Sequence, residues 1–257
     1  MLKKRLIPKL LLKKNKNSRS GFIFLTSNQF KKYKIVGDPI SQSKIYESQK
    51  ADELIILFIE KDKKFDNTNF KILNKISKEI FMPLTIGGGI NSVSLAENIL
   101  EQGADKVSLN TAIFENFKLI EKISLRFGSQ AVVASIDYIK KNKDYLIYNN
   151  STKKYKKIDL LNFTKKLENY GCGEILLTNI SNDGTSKGLD IEVANKISTE
   201  INLPIIISGG CGKASHIVDA FKNSEIEAVS AGTFFAFQDQ NLLQARSQVK
   251  NSNIQLR

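Results

Sequence analysis

The sequence has 257 residues, 41% of them hydrophobic, and its 39 basic and 26 acidic residues give a formal net charge of +13. This length suits one large α/β domain, since single α/β barrels commonly have about 250 residues, and the composition excludes extensive disorder. A single histidine, His216, argues against Ser-His-Asp, Cys-His and multi-histidine metal chemistries, so no metal or other cofactor is predicted.

The positive charge raises the question of a nucleic-acid partner, because clustered cations release phosphate counterions on binding. Only five of the basic residues are arginines, whose planar geometry suits base edges and phosphates, and the lysines are scattered through every segment. The pattern therefore predicts no nucleic-acid binding, and the charge is left to solubility or to an acidic protein partner. Cys172 and Cys211 lack a CxxC spacing and are predicted to be reduced thiols of a cytosolic protein.

The first apolar run is IPKLLLKK at 7–14, between two lysine clusters. It is interrupted by Pro8 and Lys9, is shorter than the roughly 7 to 15 apolar residues of a signal peptide, and has no small-residue cleavage site. No other segment approaches the roughly 18 to 20 apolar residues of a membrane span. The run is therefore predicted to be a buried first strand, and the protein to be cytoplasmic with no membrane contact.

Eight short apolar runs follow one another along the chain, and most are separated by amphipathic helical patterns such as NFKILNKISKEI and SLAENILEQG. The runs are RLIPKLLL, ELIILFI (53–59), PLTIGGG (83–89), KVSLNT (106–111), AVVASIDY (131–138), EILLTNI (174–180), PIIISGG (204–210) and AVSAGTF (228–234). Strands that are apolar throughout and alternate with helices are typical of a closed parallel barrel. The sequence thus predicts an α/β fold, a single (β/α)8 TIM barrel over residues 1–257, in which about 238–257 form a C-terminal helix and a frayed tail.

An internal repeat supports the barrel. PLTIGGGI at 83 matches PIIISGGCG at 204, and DELII at 52 matches GEILL at 173 at the same shift. These matches predict two half-barrels of four strands each, with no domain boundary between them.

Small residues follow the third, fourth, seventh and eighth predicted strands, at the end where barrels build their active sites. They are Gly88 and Gly89, Asn110 and Thr111, Ser208 with Gly209 and Gly210, and Ala231 with Gly232. Glycines let backbone N–H groups approach an anion, and a following helix N-terminus adds its dipole. Because the halves repeat, the pattern favours two phosphate pockets across the mouth and a phosphorylated small-molecule substrate. Tight turns, which also need glycine, are the alternative.

Carboxylates follow the fifth and sixth predicted strands. Asp137 is a candidate general acid or base, although acids that cap loops are also common. Thr178 leads into a polar loop with Asp183, Gly184 and Thr185, which can bond a ribose or a phosphate.

Four charged residues stand at the starts of the first, second, fourth and sixth predicted strands: Arg5, Glu53, Lys106 and Glu174. They meet at the amino-terminal mouth, two of each sign. Because buried charges are costly unless they are paired, these residues alone predict a salt-bridged plug at the barrel base.

Seven segments, taken in order, resemble the cyclase subunit of imidazole glycerol phosphate synthase over about residues 1–240: IPKLLL, ADELIIL, PLTIGGGI, QGADKVSLNTA, FGSQAVVASID, GEILLTNISNDGT and LPIIISGGCGK. The resemblance implies a (β/α)8 barrel that carries a glutaminase subunit on its amino-terminal face as a heterodimer partner. It also implies that ammonia crosses the barrel to the other mouth. There a bisphosphate ribonucleotide is cleaved and cyclised to imidazole glycerol phosphate and an aminoimidazole carboxamide ribotide.

Residue roles carry over by position. The resemblance implies that Asp137 is the catalytic general acid, and that the four charged residues form a gate over the ammonia passage rather than a plug. It implies substrate binding by the loop Asp183-Gly184-Thr185. It implies phosphate binding at Gly88, Gly89, Asn110, Thr111, Gly209, Gly210 and Ala231.

The chain also departs from the family pattern. Leu11 stands where the family has a second catalytic aspartate, Phe58 lies where the family has an aspartate ending the second strand, and Gly232 replaces a serine. The loop NKNSRSGFIF lacks the usual pattern around a mobile lysine. Loss of one of two proton-transfer partners removes a contribution of roughly 10²- to 10⁴-fold.

These departures favour a divergent paralogue that supplies nitrogen for amidation of surface-polysaccharide sugars, with a third, sugar-amidating enzyme as a further partner. Three alternatives stay open: an ordinary histidine-pathway cyclase, a non-catalytic scaffold that channels ammonia, and a related sugar-phosphate isomerase barrel that needs no glutaminase.

Overall fold

The computed structural model describes residues 3–60, 65–142, 144–237 and 241–257. Within them, eight parallel strands form a closed barrel: β1 (Arg5–Lys14), β4 (Leu54–Phe58), β5 (Leu84–Gly87), β6 (Lys106–Leu109), β7 (Val132–Lys141), β10 (Glu174–Asn179), β11 (Ile205–Ser208) and β12 (Ala228–Ala231). Each strand pairs with the next in this order, and β12 returns to β1. The predicted TIM barrel is therefore confirmed, and each of the eight predicted runs supplies one of its strands.

Helices cover the outside of the barrel between these strands. They are α1 (Pro39–Ser48), α2 (Asn67–Ser77), α3 (Val93–Glu101), α4 (Ala112–Glu115), α5 (Phe117–Phe127), α6 (Leu160–Asn169), α7 (Ile191–Ser198), α8 (Ala214–Asn223), α9 (Thr233–Phe237) and α10 (Leu242–Asn251). Among the described residues, none of the helices is long and apolar enough to cross a membrane.

Helix α2 illustrates why these segments are helical. Asp66 accepts hydrogen bonds from the first-turn amides, and the Asn69 side chain bonds back to the Asp66 amide, which completes a capping box. Ile72, Leu73 and Ile76 recur at helical spacing and are buried against the barrel.

The hydrophobic core has two parts. The larger part lies between the strands and the surrounding helices, and it includes Leu6, Leu10 and Ile86. The smaller part fills the inside of the barrel with side chains that point the other way from the same strands, such as Ile7, Ile55 and Leu176. Alternate residues of a strand therefore belong to different cores.

Two antiparallel hairpins extend the barrel at its carboxyl-terminal mouth, and the sequence analysis did not predict either. β2 (Phe22–Asn28) and β3 (Lys32–Gly37) continue from β1, and β8 (Asp144–Asn149) and β9 (Lys154–Lys157) continue from β7. The last three residues of NKNSRSGFIF, which was predicted to be a loop, form the beginning of β2, and the residues before them are irregular.

The C-terminal segment is held against the start of the chain. Lys4 and Leu256 form a parallel bridge, and the Arg257 amide donates to the Lys4 carbonyl at 3.0 Å. Arg246 of α10 donates to Asp52 Oδ2 at 2.5 Å and to the Arg257 carbonyl at 2.6 Å. The last three residues of the predicted C-terminal helix and tail, 255–257, are thus hydrogen-bonded beside the first strand. Residues 238–240 of that predicted region lie outside the described residues.

Candidate active site

The four charged residues at the amino-terminal end of the barrel form a closed ring of ion pairs. Arg5 Nη1 lies 3.0 Å from Glu53 Oε2, and Arg5 Nη2 pairs with Glu174. Lys106 Nζ lies 2.9 Å from Glu53 Oε2 and 2.8 Å from Glu174 Oε2. Thr85 Oγ1 also donates to Glu53, at 2.6 Å. Each base contacts both acids, so the ring is balanced in charge.

The ring is sheltered from water, because the side chains of Glu53 and Glu174 are only 1% and 7% exposed. Burial disfavours every charged form, but the opposite charges outweigh it. The pKa values of Arg5 and Lys106 are consequently raised and the pKa of Glu174 is lowered. These three groups therefore stay charged at neutral pH.

Above the ring, the barrel interior becomes apolar. Its side chains are Ile7, Ile55, Val133, Leu176, Ile206 and Ala228, with Leu57 packed against them. Ser108 and Ser230 lie two residues after Lys106 and Ala228, whose side chains point into the barrel. Their buried hydroxyls therefore lie inside the barrel as well. Neither hydroxyl has a hydrogen-bond partner within the described part of the chain. An apolar layer with two unpaired hydroxyls thus separates the ring from the opposite mouth.

Asp137 lies on β7 at the carboxyl-terminal mouth, where it is 7% exposed. Its Oδ2 accepts hydrogen bonds from Asn150 Nδ2 at 2.7 Å and from Asn110 Nδ2 at 3.0 Å. Burial raises the pKa of Asp137, and the charge of Lys9 and the two amides oppose that rise without cancelling it. A buried carboxyl with a raised pKa is suited to exchange protons closer to neutral pH.

The loop after β10 brings Asp183 to the same mouth. Ser27 Oγ on β2 donates to Asp183 Oδ2 at 2.5 Å, and the Gln29 amide donates to the Asp183 carbonyl at 2.9 Å. Burial raises the pKa of Asp183, while Lys9 and then Ser27 oppose the rise. In the described ranges, no group of three or more His, Cys, Asp or Glu side chains is placed to hold a metal ion.

The same loop holds the other two predicted residues of this segment. The Gly184 carbonyl accepts a hydrogen bond from Asn28 Nδ2 at 3.0 Å, and Thr185 Oγ1 donates to the Asn182 carbonyl at 2.8 Å. The hydroxyl of Thr185 is therefore used within the loop, and the first hairpin is docked on the loop through Asn28.

Lys9 is a third charged group at this mouth, and the sequence analysis did not single it out. Its Nζ donates to Thr178 Oγ1 at 3.0 Å, and Thr178 is the register partner of Asp137 on the neighbouring strand. Burial lowers the pKa of Lys9, while Asp183 and Asp137 partly restore it. The two-residue periodicity of β1, counted from Arg5, places Lys9 inside the barrel and would have found it.

The glycine pairs of the two half-barrels occupy matching positions. Gly88 and Gly209 have φ angles of 108° and 90°. A Cβ on Gly88 would lie 2.2 Å from the Phe58 carbonyl oxygen, and one on Gly209 would lie 2.4 Å from the Asn179 carbonyl oxygen. Both carbonyls end the preceding barrel strand. The turn alone therefore explains these glycines, and phosphate binding at them stays a prediction.

The other predicted binding residues fall into two groups, one from each half-barrel. Gly89, Asn110 and Thr111 follow β5 and β6, whereas Ser208, Gly210, Ala231 and Gly232 end or follow β11 and β12. The helices that follow β6 and β12, α4 and α9, have only four and five residues. The barrel thus brings both groups to the same mouth as Asp137.

Comparison with known proteins gives this arrangement a family. Residues 5–241 match the family described as histidine biosynthesis protein. The chain belongs to the histidine biosynthesis protein family. It is 39% identical to a protein provisionally named imidazole glycerol phosphate synthase subunit hisF2, from Prochlorococcus marinus (strain MIT 9313), over 100% of this chain and 99% of that relative. It is 38% and 36% identical to imidazole glycerol phosphate synthase subunit HisF of Pelodictyon phaeoclathratiforme (strain DSM 5477 / BU-1) and of Chlorobium limicola (strain DSM 245 / NBRC 103803 / 6330), over 100% of each chain. The predicted resemblance to the cyclase subunit of imidazole glycerol phosphate synthase is confirmed.

Leu11 is half-buried and pairs with apolar residues on both flanking strands, whereas Phe58 is packed among aromatic rings. Leu11 is the register partner of Leu57 on β4. The ring of Phe58 contacts those of Phe22 and Phe65, with centroids 6.4 and 4.7 Å away. The neighbours of both positions are therefore suited to apolar residues, and the acids of the mouth come from β7 and from the loop after β10.

The two hairpins meet over the mouth. Phe30, in the turn of the first hairpin, contacts Tyr148 of β8 with ring centroids 6.4 Å apart, and Tyr148 contacts Tyr155 of β9 at 5.0 Å. Each hairpin also reaches an acid of the mouth, through Ser27 and Asn150. The hairpins therefore form a cover that is bonded to the candidate catalytic groups.

Proposed function

We propose that this chain is the ammonia-using subunit of a glutamine amidotransferase complex, of the imidazole glycerol phosphate synthase cyclase type. A glutaminase docks on the amino-terminal face, ammonia passes the charged ring and the apolar interior, and it reacts with a phosphorylated substrate at the carboxyl-terminal mouth. The observation that carries the proposal is the pairing of Arg5 and Lys106 with Glu53 and Glu174 at one end of a barrel whose other end holds Asp137. The curated relatives, each named as a subunit of a synthase, support a partnered enzyme.

The interior between the two ends supports the passage of ammonia rather than ammonium. A charged ion would lose its hydration against Ile7, Val133 and Leu176, whereas neutral ammonia has no charge to desolvate. The ring closes the entrance with ion pairs, so ammonia enters only when Arg5 or Lys106 moves away from its carboxylates. Movement of one base leaves the other to hold both acids.

At the mouth, the proposed chemistry needs a proton donor and acceptor as the nitrogen of ammonia bonds to carbon. Asp137 fits this role, because its buried carboxyl is already bonded to two amides and has a raised pKa. Backbone amides at Gly88 and Gly209 are proposed to hold the two phosphate ends of the substrate. The loop with Asp183, Gly184 and Thr185 is proposed to contact its ribose.

A finer proposal concerns the acceptor of the nitrogen. Leu11 and Phe58 put apolar side chains where the resemblance implies aspartates, and their neighbours are apolar as well. We infer a divergent paralogue that supplies nitrogen for amidation of a surface-polysaccharide sugar, with a third enzyme that completes that reaction. The genes beside this one test the inference: sugar-modifying enzymes with a glutaminase support it, and a run of histidine-pathway enzymes contradicts it.

The deciding assay is consumption of the bisphosphate ribonucleotide with an ammonium salt as the nitrogen source. Because one proton-transfer partner is absent at Leu11, we expect turnover roughly 10²- to 10⁴-fold below that of the HisF relative from Chlorobium limicola. A rate equal to that of the relative would support an ordinary histidine-pathway cyclase instead.

The apolar residues at Leu11 and Phe58 also favour a second candidate, a scaffold that channels ammonia without catalysis. Asp137→Asn separates the two, because it should abolish product formation by the complex only if this mouth is catalytic. Glu174→Gln should impair transfer from the glutaminase in either case. If no glutaminase binds the purified chain in titration calorimetry, the sugar-phosphate isomerase alternative is favoured.

A further inference from the structure

Lys9 is a half-buried cation that neither the residue roles implied by the resemblance nor the proposed mechanism uses. It projects into the barrel from β1, between the apolar layer that contains Ile7 and the mouth that contains Leu11. Its Nζ donates to Thr178 Oγ1 at 3.0 Å on the opposite side of the barrel interior, next to β7. A lysine that spans the interior in this way leaves water and needs compensating charge.

The compensating charges are the two acids of the mouth. Asp183 and Asp137 are the groups whose charge stabilises the Lys9 ammonium against its burial. In return, Lys9 is the strongest influence that opposes the effect of burial on each of the two carboxyls. Tyr148 is a further titratable group that Asp137 influences; its pKa is raised by burial, then by Tyr155 and by Asp137. Within the described part of the chain, Lys9 of β1, Asp137 of β7 and Asp183 of the loop after β10 thus influence one another electrostatically at this mouth.

Position along β1 connects Lys9 to the departure at Leu11. The two side chains are two residues apart on one strand, so both point to the barrel interior. Where the resemblance implies an acid on β1, the chain has the apolar residue Leu11. The basic residue Lys9 lies two positions before it on the same strand. The charge of strand β1 at the mouth is therefore opposite in sign to the one that the resemblance implies.

We propose that Lys9 is a positioning residue of this active site, whose ammonium keeps Asp137 and Asp183 in the carboxylate form. These two carboxylates then serve at a mouth where Leu11 provides no acid. Its role in catalysis rests on the proposed function. With Lys9 present, Asp137 starts the reaction as a proton acceptor and can take a proton from the incoming nitrogen as its bond to carbon forms. As nitrogen adds to a carbonyl carbon of the substrate, the C=O π bond breaks and its electron pair moves to the carbonyl oxygen. The N–H bond breaks and its proton goes to the Asp137 carboxylate oxygen, so the step needs no oxidant or reductant.

Carboxyl titration in the unliganded protein tests the electrostatic part of the proposal without substrate. Aspartate labelled with ¹³C at the side-chain carboxyl is followed by NMR against pH, and Asp137→Asn and Asp183→Asn assign the two signals. In Lys9→Met, which keeps the length of the side chain and removes the charge, both titration midpoints should rise by about one unit or more. In Lys9→Arg, which keeps the charge, they should stay close to the wild-type values.

Lys13→Met is the matched control, because Lys13 lies on the same strand but is exposed. It should leave both midpoints unchanged. The proposal is overturned if Lys9→Met leaves the midpoints in place, or if Lys13→Met moves them equally. Should Lys9→Met fail to fold, the reciprocal measurement on Lys9 labelled with ¹³C at Cε decides: its midpoint must fall in Asp137→Asn, and an unchanged midpoint contradicts the proposal.

Turnover separates this inference from the proposed function. If the wild-type chain shows no ammonia-dependent turnover, the proposed function fails, and the carboxyl midpoints still decide whether Lys9 is the charge partner. If turnover is present, its rise with pH should move upward in Lys9→Met together with the Asp137 midpoint, and Lys9→Arg should restore it. If the wild-type chain shows turnover but Lys9→Met leaves both carboxyl midpoints unchanged, the role of Lys9 is contradicted and the proposed function is not.

Discussion

Asn150 donates a 2.7 Å hydrogen bond to Asp137 from a hairpin that lies outside the eight barrel strands. The same Asn150 amide also reaches Asn110 Oδ1 at 3.1 Å, so three side chains share one network. A residue that follows β8 therefore helps to set the protonation of an acid on β7. The cover over the mouth and the candidate catalytic acid cannot move independently of one another.

Replacement of Asn150 by leucine should raise the pKa of Asp137 further. The variant removes one of the hydrogen bonds that favour the carboxylate form of Asp137. That bond then no longer opposes the rise in pKa that burial causes. The pH dependence of ammonia-dependent turnover should shift upward, with a smaller shift than in Lys9→Met because a neutral amide stabilises a carboxylate less than a cation does. Asn150→Asp is not a suitable control, since it adds charge; Asn150→Gln keeps the amide and should show the smaller change.

Asp137→Asn should lose activity and gain stability. The raised pKa means that the folded state binds the proton of Asp137 more tightly than the unfolded state does, so the carboxyl costs stability as pH rises above about 3.9, its ordinary unfolded value. Near neutral pH, urea unfolding should show the variant to be more stable than wild type. The gain should shrink as pH falls through the raised pKa of Asp137 in the folded state, and it should be absent below about 3.9. A variant that is less stable than wild type at neutral pH would contradict this reading of Asp137.

Glu174→Gln should destabilise the barrel at its base. Removal of one acid leaves Arg5 and Lys106 to share Glu53, and breaking a buried ion pair on one side costs about 3 to 5 kcal/mol. The exposed pair of Glu192 with Lys140 gives the control, because Glu192→Gln should leave the unfolding free energy nearly unchanged. Urea unfolding at neutral pH measures both variants.

The lowered pKa of Glu174 predicts how the free energy of unfolding changes at acidic pH. The pKa of Glu174 is lowered in the folded state, so its contribution is complete above its ordinary unfolded value of about 4.3 and is lost as pH falls through the folded value. Wild type should therefore lose stability more steeply than Glu174→Gln below about pH 4. Parallel curves for the two proteins would show that Glu174 is not held as a carboxylate by the ring.

Gly88→Ala and Gly209→Ala should be equally harmful, because the two half-barrels place both glycines under the carbonyl of the preceding strand. Gly188 provides a control that separates conformation from contact: its φ is also positive, at 108°, but a Cβ there would have nothing within 4 Å. Gly188→Ala should lose about 1 kcal/mol from backbone strain, and the other two variants should lose several kcal/mol or fail to fold. Equal losses in all three would show that the carbonyl contact is relieved easily.

Leu11→Asp should increase turnover of the bisphosphate ribonucleotide if the absent acid limits the reaction. A placed proton-transfer group contributes roughly 10²- to 10⁴-fold, so a gain of about tenfold or more is expected even with imperfect geometry. Leu11→Asn has nearly the same shape and should give no gain. Equal rates for Asp and Asn would indicate that the polarity of the site, rather than proton transfer, had changed.

The sequence was sufficient to predict the barrel because its signals are local and repeated. Runs such as ELIILFI are apolar on both faces, as buried parallel strands are, and the matching PLTIGGGI and PIIISGGCG place corresponding strands in the two halves. The register of β7 against β10, which sets Asp137 beside Thr178, was seen only in the structure.

The hairpins and the interior cation were missed for different physical reasons. β9 is KYKK, all of it exposed, and nothing in such a lysine-rich stretch distinguishes an edge strand from a loop. Asn150 acquires its role only because that hairpin folds back over the mouth. Lys9 was interpreted as an interruption of an apolar run, although its spacing from Arg5 places it inside the barrel.

The binding of the last residues to Lys4 has a practical consequence for work on the complex. Arg257 sits beside the strand that begins at Arg5, so anything fused after it emerges at the end of the barrel that carries the charged ring. An affinity tag or fluorescent protein added there would crowd the face on which a glutaminase is proposed to dock. Reporters for binding studies therefore belong on a part of the surface away from this end of the barrel.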